Sequence, residues 1–218
     1  MISMTDPTIL EFGNKDSKII LIQPIDEHDN EEIKNEYHLI KEMTSIDFRL
    51  IAIKVNDWNK DLSPWKATAV FGKEDFGDGA NLTLEKILEM IENDKRYYLG
   101  GYSLAGLFSL WAAYQTDRFN GIVASSASVW FEHFLEYMQE NKIKTKSVYL
   151  SLGDKEAKTK NKVMATVADK MSECYELLKE SNVDCTFQWN QGNHFKDASL
   201  RTAKGFAWLL EKEKKIIF

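Results

Sequence analysis

Long apolar runs, basic charge and cysteine are what this chain of 218 residues has least of. No stretch approaches the roughly 20 consecutive apolar residues that a membrane-spanning helix needs, so no span is expected. Lys and Arg number 28 against 34 Asp and Glu, a net charge of −6. That balance argues against general nucleic-acid binding and leaves no basic face for an anionic membrane surface. Met1 to Phe12 contains Asp6, Pro7 and Glu11, so no basic start leads into an apolar secretory core. With no such signal, the two cysteines, Cys174 and Cys185, read as free thiols in a cytoplasmic protein. Internal repeats, low-complexity tracts and dividing linkers are also missing. Residues 1–218 are therefore expected to form one domain, large enough to bury a substantial core.

What the chain does have is an alternation of strand-like and helix-like stretches. Lys18–Gln23 is an unbroken apolar, β-branched run, as expected of a strand buried on both faces. Pro24 should end it, because proline cannot donate to a sheet ladder. A short edge strand is expected at Ile9–Phe12, and further strands at Phe48–Val55, Arg96–Gly100, Phe119–Ser126, Ser147–Leu152 and Val183–Trp189. Helices are expected over Glu31–Met43, from Asn81 as N-cap through Ile91, and over Trp130–Glu140, Thr159–Lys179 and Ala198–Lys212. This alternation predicts a parallel sheet with helices on both faces. Lys212-Glu213-Lys214-Lys215 reads as a solvated helix end. Asn56–Ala80 has no period but is rich in aromatics (Trp58, Trp65, Phe71, Phe76), and so reads as an ordered functional loop.

One stretch stands apart. In Gly101-Tyr102-Ser103-Leu104-Ala105-Gly106, an apolar strand meets a serine and turns at once into an apolar helix. A serine on so sharp a strand–turn–helix is a nucleophile elbow, and the residues two before and two after it must be small because the strained turn presses them against neighbouring backbone. Ligands of a parallel sheet bind beyond the carboxyl ends of its strands. Those loops hold Ser103, then Gly153-Asp154-Lys155-Glu156, then Gly192-Asn193-His194. A serine hydroxyl needs a base to take its proton, which neutral imidazole does near neutral pH. A carboxylate fixes the imidazole tautomer, and Asp154 and Glu156 both stand available for that role. The oxyanion requires backbone N–H donors. Leu104 is the first by position, and the second should come from the loop after Lys18–Gln23, where Pro24 has none. Gln23, Ile25 or Asp26 must supply it, with Ile25 favoured.

Gly101–Leu110, Val123–Trp130, Ser151–Glu156 and Gly192–His194 together resemble the esterase-D/enterochelin-esterase group of α/β-hydrolases, over about Lys18 to Leu210. The resemblance implies an α/β-hydrolase fold, a three-layer sandwich with a mainly parallel sheet. It also implies a Ser-His-acid hydrolase acting on small-molecule esters, with no metal and no organic cofactor. The chain is short for that group and leaves no room for a cap domain. Ala105 stands where the group more often has glycine. In that group the acid commonly falls three residues after the glycine that ends the strand, which favours Glu156 over Asp154.

The remaining candidates concern the pocket. Trp130 and Phe131 follow a strand end and are candidate pocket walls, as is Trp65 in the aromatic loop. His28 lies in the acidic loop after the first buried strand and is a candidate substrate contact; its neighbours lack the spacing of a metal motif. His133 is expected in a helix near the rim and His38 on a helix surface. The acidic balance and aromatic loop point to a neutral or apolar substrate group rather than an anion.

Overall fold

The computed structural model describes residues 9–217, and of the side chains those of residues 9–213. Seven strands form one sheet: β1 (Ile9–Gly13), β2 (Ile19–Ile25), β3 (Arg49–Lys54), β4 (Arg96–Tyr102), β5 (Phe119–Ser125), β6 (Ser147–Gly153) and β7 (Asp184–Asn190). Their order is β1-β3-β2-β4-β5-β6-β7. All neighbours are parallel except β1, which runs antiparallel along the β3 edge. The chain steps from β2 to β3 in one direction and places β4 on the other side of β2. The crevice between the carboxyl ends of β2 and β4 is therefore the topological switch point, where ligands of such sheets bind.

The helices are α1 (Asn30–Met43), α2 (Trp58–Asp61), α3 (Ala80–Glu89), α4 (Leu104–Gln115), α5 (Phe134–Glu140), α6 (Val167–Glu180) and α7 (Ala198–Ile217). Period-two alternation divides the strand side chains into two cores. On one face Leu21, Leu50, Ala52 and Val123 pack under Ile33 and Ile40 of α1 and Phe206 and Leu210 of α7. On the other, Ile20, Ile22, Leu99 and Ile122 pack under α3, α4 and α6. Every residue of α4 from Leu104 to Tyr114 is buried, as befits a helix that is apolar all round. Among the described residues no separate cap domain is present.

Several boundaries differ from the sequence expectation. β2 runs through Pro24 to Ile25. The Ile25 carbonyl accepts from Val55 N–H at 3.1 Å, so Ile25 faces β3 and Pro24 faces β4. The β2–β4 ladder has already ended at Ile22–Leu99, so the missing proline N–H costs no bond. Helix α3 starts at Ala80 with Gly79 as its cap, so Asn81 lies inside it. Residues Trp130–His133 form a turn ahead of α5, and His133 sits there with φ 61°, a left-handed conformation. Helix α6 begins at Val167, with a short 3₁₀ turn at Met164–Thr166 before it. The end of α7 is not wholly solvated. Glu213 is buried, accepting from Tyr98 Oη and Arg96, while Lys212 lies over the Trp208 ring and pairs with Asp184. Lys214 and Lys215 fall outside the described side chains. Cys174 and Cys185 are both free thiols.

Candidate active site

Ser103 occupies the turn between β4 and α4 with φ 57° and ψ −119°. Positive φ in a residue with a side chain is strained, and such strain persists only where the surroundings over-determine it. Here Ser103 N–H donates to Ser125 O at 3.0 Å, and Ser103 O accepts from Leu107 and Ser128 N–H, each at 3.1 Å. The small neighbours are required as well. A Cβ at Gly101 would lie 2.5 Å from Ala105 Cβ, and one at Gly106 would lie 3.0 Å from Ala127 Cβ.

His194 reaches this serine from the loop after β7. Its Nε2 lies 3.0 Å from Ser103 Oγ, and its Nδ1 lies 2.7 Å from Glu156 Oε2. A carboxylate can only accept, so Nδ1 carries the proton and Nε2 turns its lone pair to the serine hydroxyl. Glu156 is drawn in by the turn after β6, where its N–H donates to Gly153 O at 3.1 Å. It is buried, whereas Asp154 is exposed and accepts from Gly192 N–H at 2.7 Å, bracing the histidine loop. Of the two acids, then, Glu156 meets the imidazole and Asp154 does not.

Burial opposes a charge on Glu156, yet its carboxyl is held below the usual range, by His194 first and then by Ser126 and Gly153 N–H. Ser126 Oγ and Gly153 N–H each donate to Oε1 at 2.7 Å. Arg201, on α7 and 1% exposed, adds its cation. Its Nη1 donates to Glu156 Oε1 at 2.6 Å and to Ser126 Oγ and Tyr102 Oη at 3.0 Å. Its Nη2 donates to Asn193 O at 2.9 Å and Gln191 O at 3.3 Å. Tyr102 completes the ring by donating to His194 O at 2.6 Å, and burial pushes its hydroxyl up to about 12. One buried arginine thus binds the acid and the loop that carries the histidine. Sequence reasoning missed these roles of Arg201, Tyr102 and Ser126. Tyr102 and Ser126 lie within stretches already singled out, but no spacing assigns their side chains a partner, and an arginine in an apolar stretch of helix was the one signal for Arg201.

Leu104 opens α4, so its N–H has no intrahelical acceptor and points from the positive end of the helix dipole beside Ser103. Ile25 is a different matter. A strand residue directs N–H and C=O to the same neighbour, so its N–H faces β3 rather than Ser103. The next N–H, of Asp26, donates to Asp29 Oδ2 at 3.0 Å.

A cavity of about 760 Å³ opens beside Ser103 and His194, with Ile25, Trp58, Phe71 and Phe195 among its walls. The other predicted wall residues are elsewhere. Trp130 and Phe131 are 5% and 1% exposed and belong to the core, packed on Phe76. Trp65 stacks on Phe134 and donates its indole N–H to Glu132 O at 3.0 Å. Trp65 and Phe76 of the 56–80 loop pack on Phe131 and Trp130, so these aromatics complete the core between the loop and the sheet end instead of walling the cavity. His28 points to solvent beside Glu27. The loop's aromatic contribution to the cavity comes instead from Trp58 and Phe71. Among the described residues no cluster of three or more metal-ligating side chains occurs, and no helix is long and apolar enough to cross a membrane.

No protein-family model matches the chain, and no curated protein matches it. Solved structures do. An IroE-like serine hydrolase from Shewanella oneidensis superposes with a TM-score of 0.76 at 14% identity, over 94% of this chain and 76% of that one. The siderophore hydrolase EstA from Aspergillus nidulans gives 0.64 at 14% identity, over 95% of each chain. The enterobactin esterase from Shigella flexneri gives 0.63 at 14% identity, over 95% of this chain and 56% of that one. The fold is that of the α/β-hydrolases. Within a hydrolase fold, Ser103, Glu156 and His194 follow β4, β6 and β7 in the chain order serine, acid, histidine.

Proposed function

We propose that the chain is a serine hydrolase of small-molecule carboxylic esters, formed by one domain and working through an acyl-enzyme. The observation that carries this reading is the unbroken line of contacts from Ser103 Oγ through His194 Nε2 and Nδ1 to Glu156 Oε2, at 3.0 and 2.7 Å. His194 takes the proton as Ser103 Oγ attacks the ester carbonyl, then gives it to the departing alcohol. Water, activated by the same imidazole, releases the acid. Glu156 stabilises the imidazolium, and Leu104 N–H receives the developing oxyanion. The esterase and hydrolase names of the structural neighbours support the same chemistry. The 3.0 Å contact between Ser103 Oγ and His194 Nε2 supports this reading over that of a non-catalytic binding protein on the same scaffold.

The test is fluorophosphonate labelling and p-nitrophenyl acetate hydrolysis by the wild type and Ser103→Ala. Labelling and turnover are expected in the wild type alone. Equal labelling or turnover in both proteins refutes the assignment.

A further inference from the structure

The cavity beside Ser103 is unusually acidic. Asp26, Asp29, Glu32, Glu36, Asp57 and Glu74 line it, and among its described lining residues none is Lys or Arg. Asp57 is paired with Lys60 at 2.7 Å. A crowd of carboxylates alone does not make a site, but two further groups in the wall point to a ligand. Gln23 and Glu36 are 6% and 3% exposed, and each has an oxygen, Oε1, with no hydrogen-bond partner among the described residues. Their only mutual contact uses the other atoms, Gln23 Nε2 donating to Glu36 Oε2 at 3.3 Å. An unmet buried acceptor is costly, and two in one wall of an acidic cavity call for a donor with several N–H groups. Burial raises the Glu36 carboxyl well above its usual range, and burial also raises Asp29. A cation bound beside them would favour the charged form of each. Trp58 and Phe71, on the same cavity, offer apolar and π surface for the chain that carries the cation.

We infer that this cavity selects esters bearing a primary ammonium group, which it holds at the orphaned oxygens of Gln23 and Glu36 beside Asp29 while the ester carbonyl sits at Ser103. The inference rests on the hydrolase reading and narrows it, from the neutral or apolar substrate suggested by composition to a cationic one. An anionic ester would meet like charge from the carboxylates of the cavity wall.

The experiment compares kcat/KM for p-nitrophenyl 6-aminohexanoate, heptanoate and the adipate monoester, which share length and differ in the terminal group. A second series places the charge on the alcohol, 5-aminopentyl acetate against hexyl acetate. In at least one series the ammonium ester is expected to exceed its neutral partner by tenfold or more, with the adipate ester slowest. Glu36→Gln and Asp29→Asn should each pull the ammonium-to-neutral ratio toward 1. A ratio near or below 1 in both series, or ratios unchanged in both variants, overturns the inference and leaves the hydrolase reading standing. If no ester turns over above Ser103→Ala, the hydrolase reading fails instead. Calorimetric titration of Ser103→Ala with hexylammonium chloride then decides the cavity's preference. Binding that Glu36→Gln weakens tenfold and hexanol does not reproduce supports the inference, and no binding overturns it.

Discussion

Replacing Arg201 with methionine should damage this protein more than any surface substitution, and the reason lies in what the guanidinium touches. It is 1% exposed and serves five oxygens: Glu156 Oε1, Ser126 Oγ, Tyr102 Oη, Gln191 O and Asn193 O. Methionine fills similar volume, so the cavity contribution is small. What remains is a buried carboxylate without its cation, and removing one partner of a buried ion pair costs about 3–5 kcal/mol. At about 2–4 °C per kcal/mol for a chain of this size, the expected fall in Tm is about 6–20 °C. Stability alone would not separate a lost pair from lost packing, so the measurement is a double-mutant cycle by urea unfolding. Glu156→Gln removes the charge that Arg201 compensates, while Arg201→Met/Glu156→Gln leaves neither charge. The double mutant should be more stable than the sum of the single changes by at least about 1.5 kcal/mol, within the range for directly coupled residues. Additivity within about 0.5 kcal/mol would refute the claim that Arg201 acts by compensating Glu156. Arg201→Lys should not rescue, because an ammonium cannot span acceptors on four separate segments as the planar fork does.

Further expectations follow from the same geometry. Glu156→Gln should lower kcat roughly 10⁴-fold, as losing the tautomer-fixing carboxylate does in such triads, while Asp154→Asn keeps an acceptor for Gly192 N–H and should stay within about threefold; ester hydrolysis by the two variants decides between the acids. Gly101→Ala puts a methyl 2.5 Å from Ala105 Cβ and 2.6 Å from its backbone carbon, so urea unfolding should show about 1–3 kcal/mol of destabilisation, with reduced turnover from a displaced Ser103. Glu36 has a folded pKa raised above its unfolded one, so it destabilises the protein increasingly as pH climbs past the usual carboxylate range. Glu36→Gln should therefore be more stable than wild type at pH 7 and equal to it near pH 3, and a pH-independent difference would contradict the burial argument. Glu156 has the opposite sign: its folded pKa is lowered, so its contribution is present above the unfolded value and lost as acidification passes the folded one. Glu156→Gln should accordingly show a shallower loss of stability than wild type below about pH 4.

How far the sequence reaches is set by the range of the interactions concerned. The sheet and the serine–acid–histidine order were legible because apolar strands, an elbow with small residues at fixed offsets and loops at strand ends are local patterns. Pro24 misled because a proline's tolerance in a strand depends on whether the neighbour on its N–H side is still pairing, which is a property of β4, not of β2. Trp65, Trp130 and Phe131 misled for a related reason. An aromatic in such a loop or beside a strand end fits a pocket wall and a core equally well by composition, and only the contacts of Trp65 with Phe131 and of Phe76 with Trp130 and Phe131 decide for the core. Arg201 and Glu36 were invisible because each derives its importance from a partner far along the chain or a cavity formed by several loops. They also behave oppositely. Both terminal nitrogens of Arg201 find acceptors and only its Nε has none among the described residues, whereas Glu36 and Gln23 each leave a buried oxygen unmatched. A folded chain gains nothing in stability from the second arrangement, so its place on the wall of the cavity that holds Ser103 is best understood as a requirement of whatever binds there.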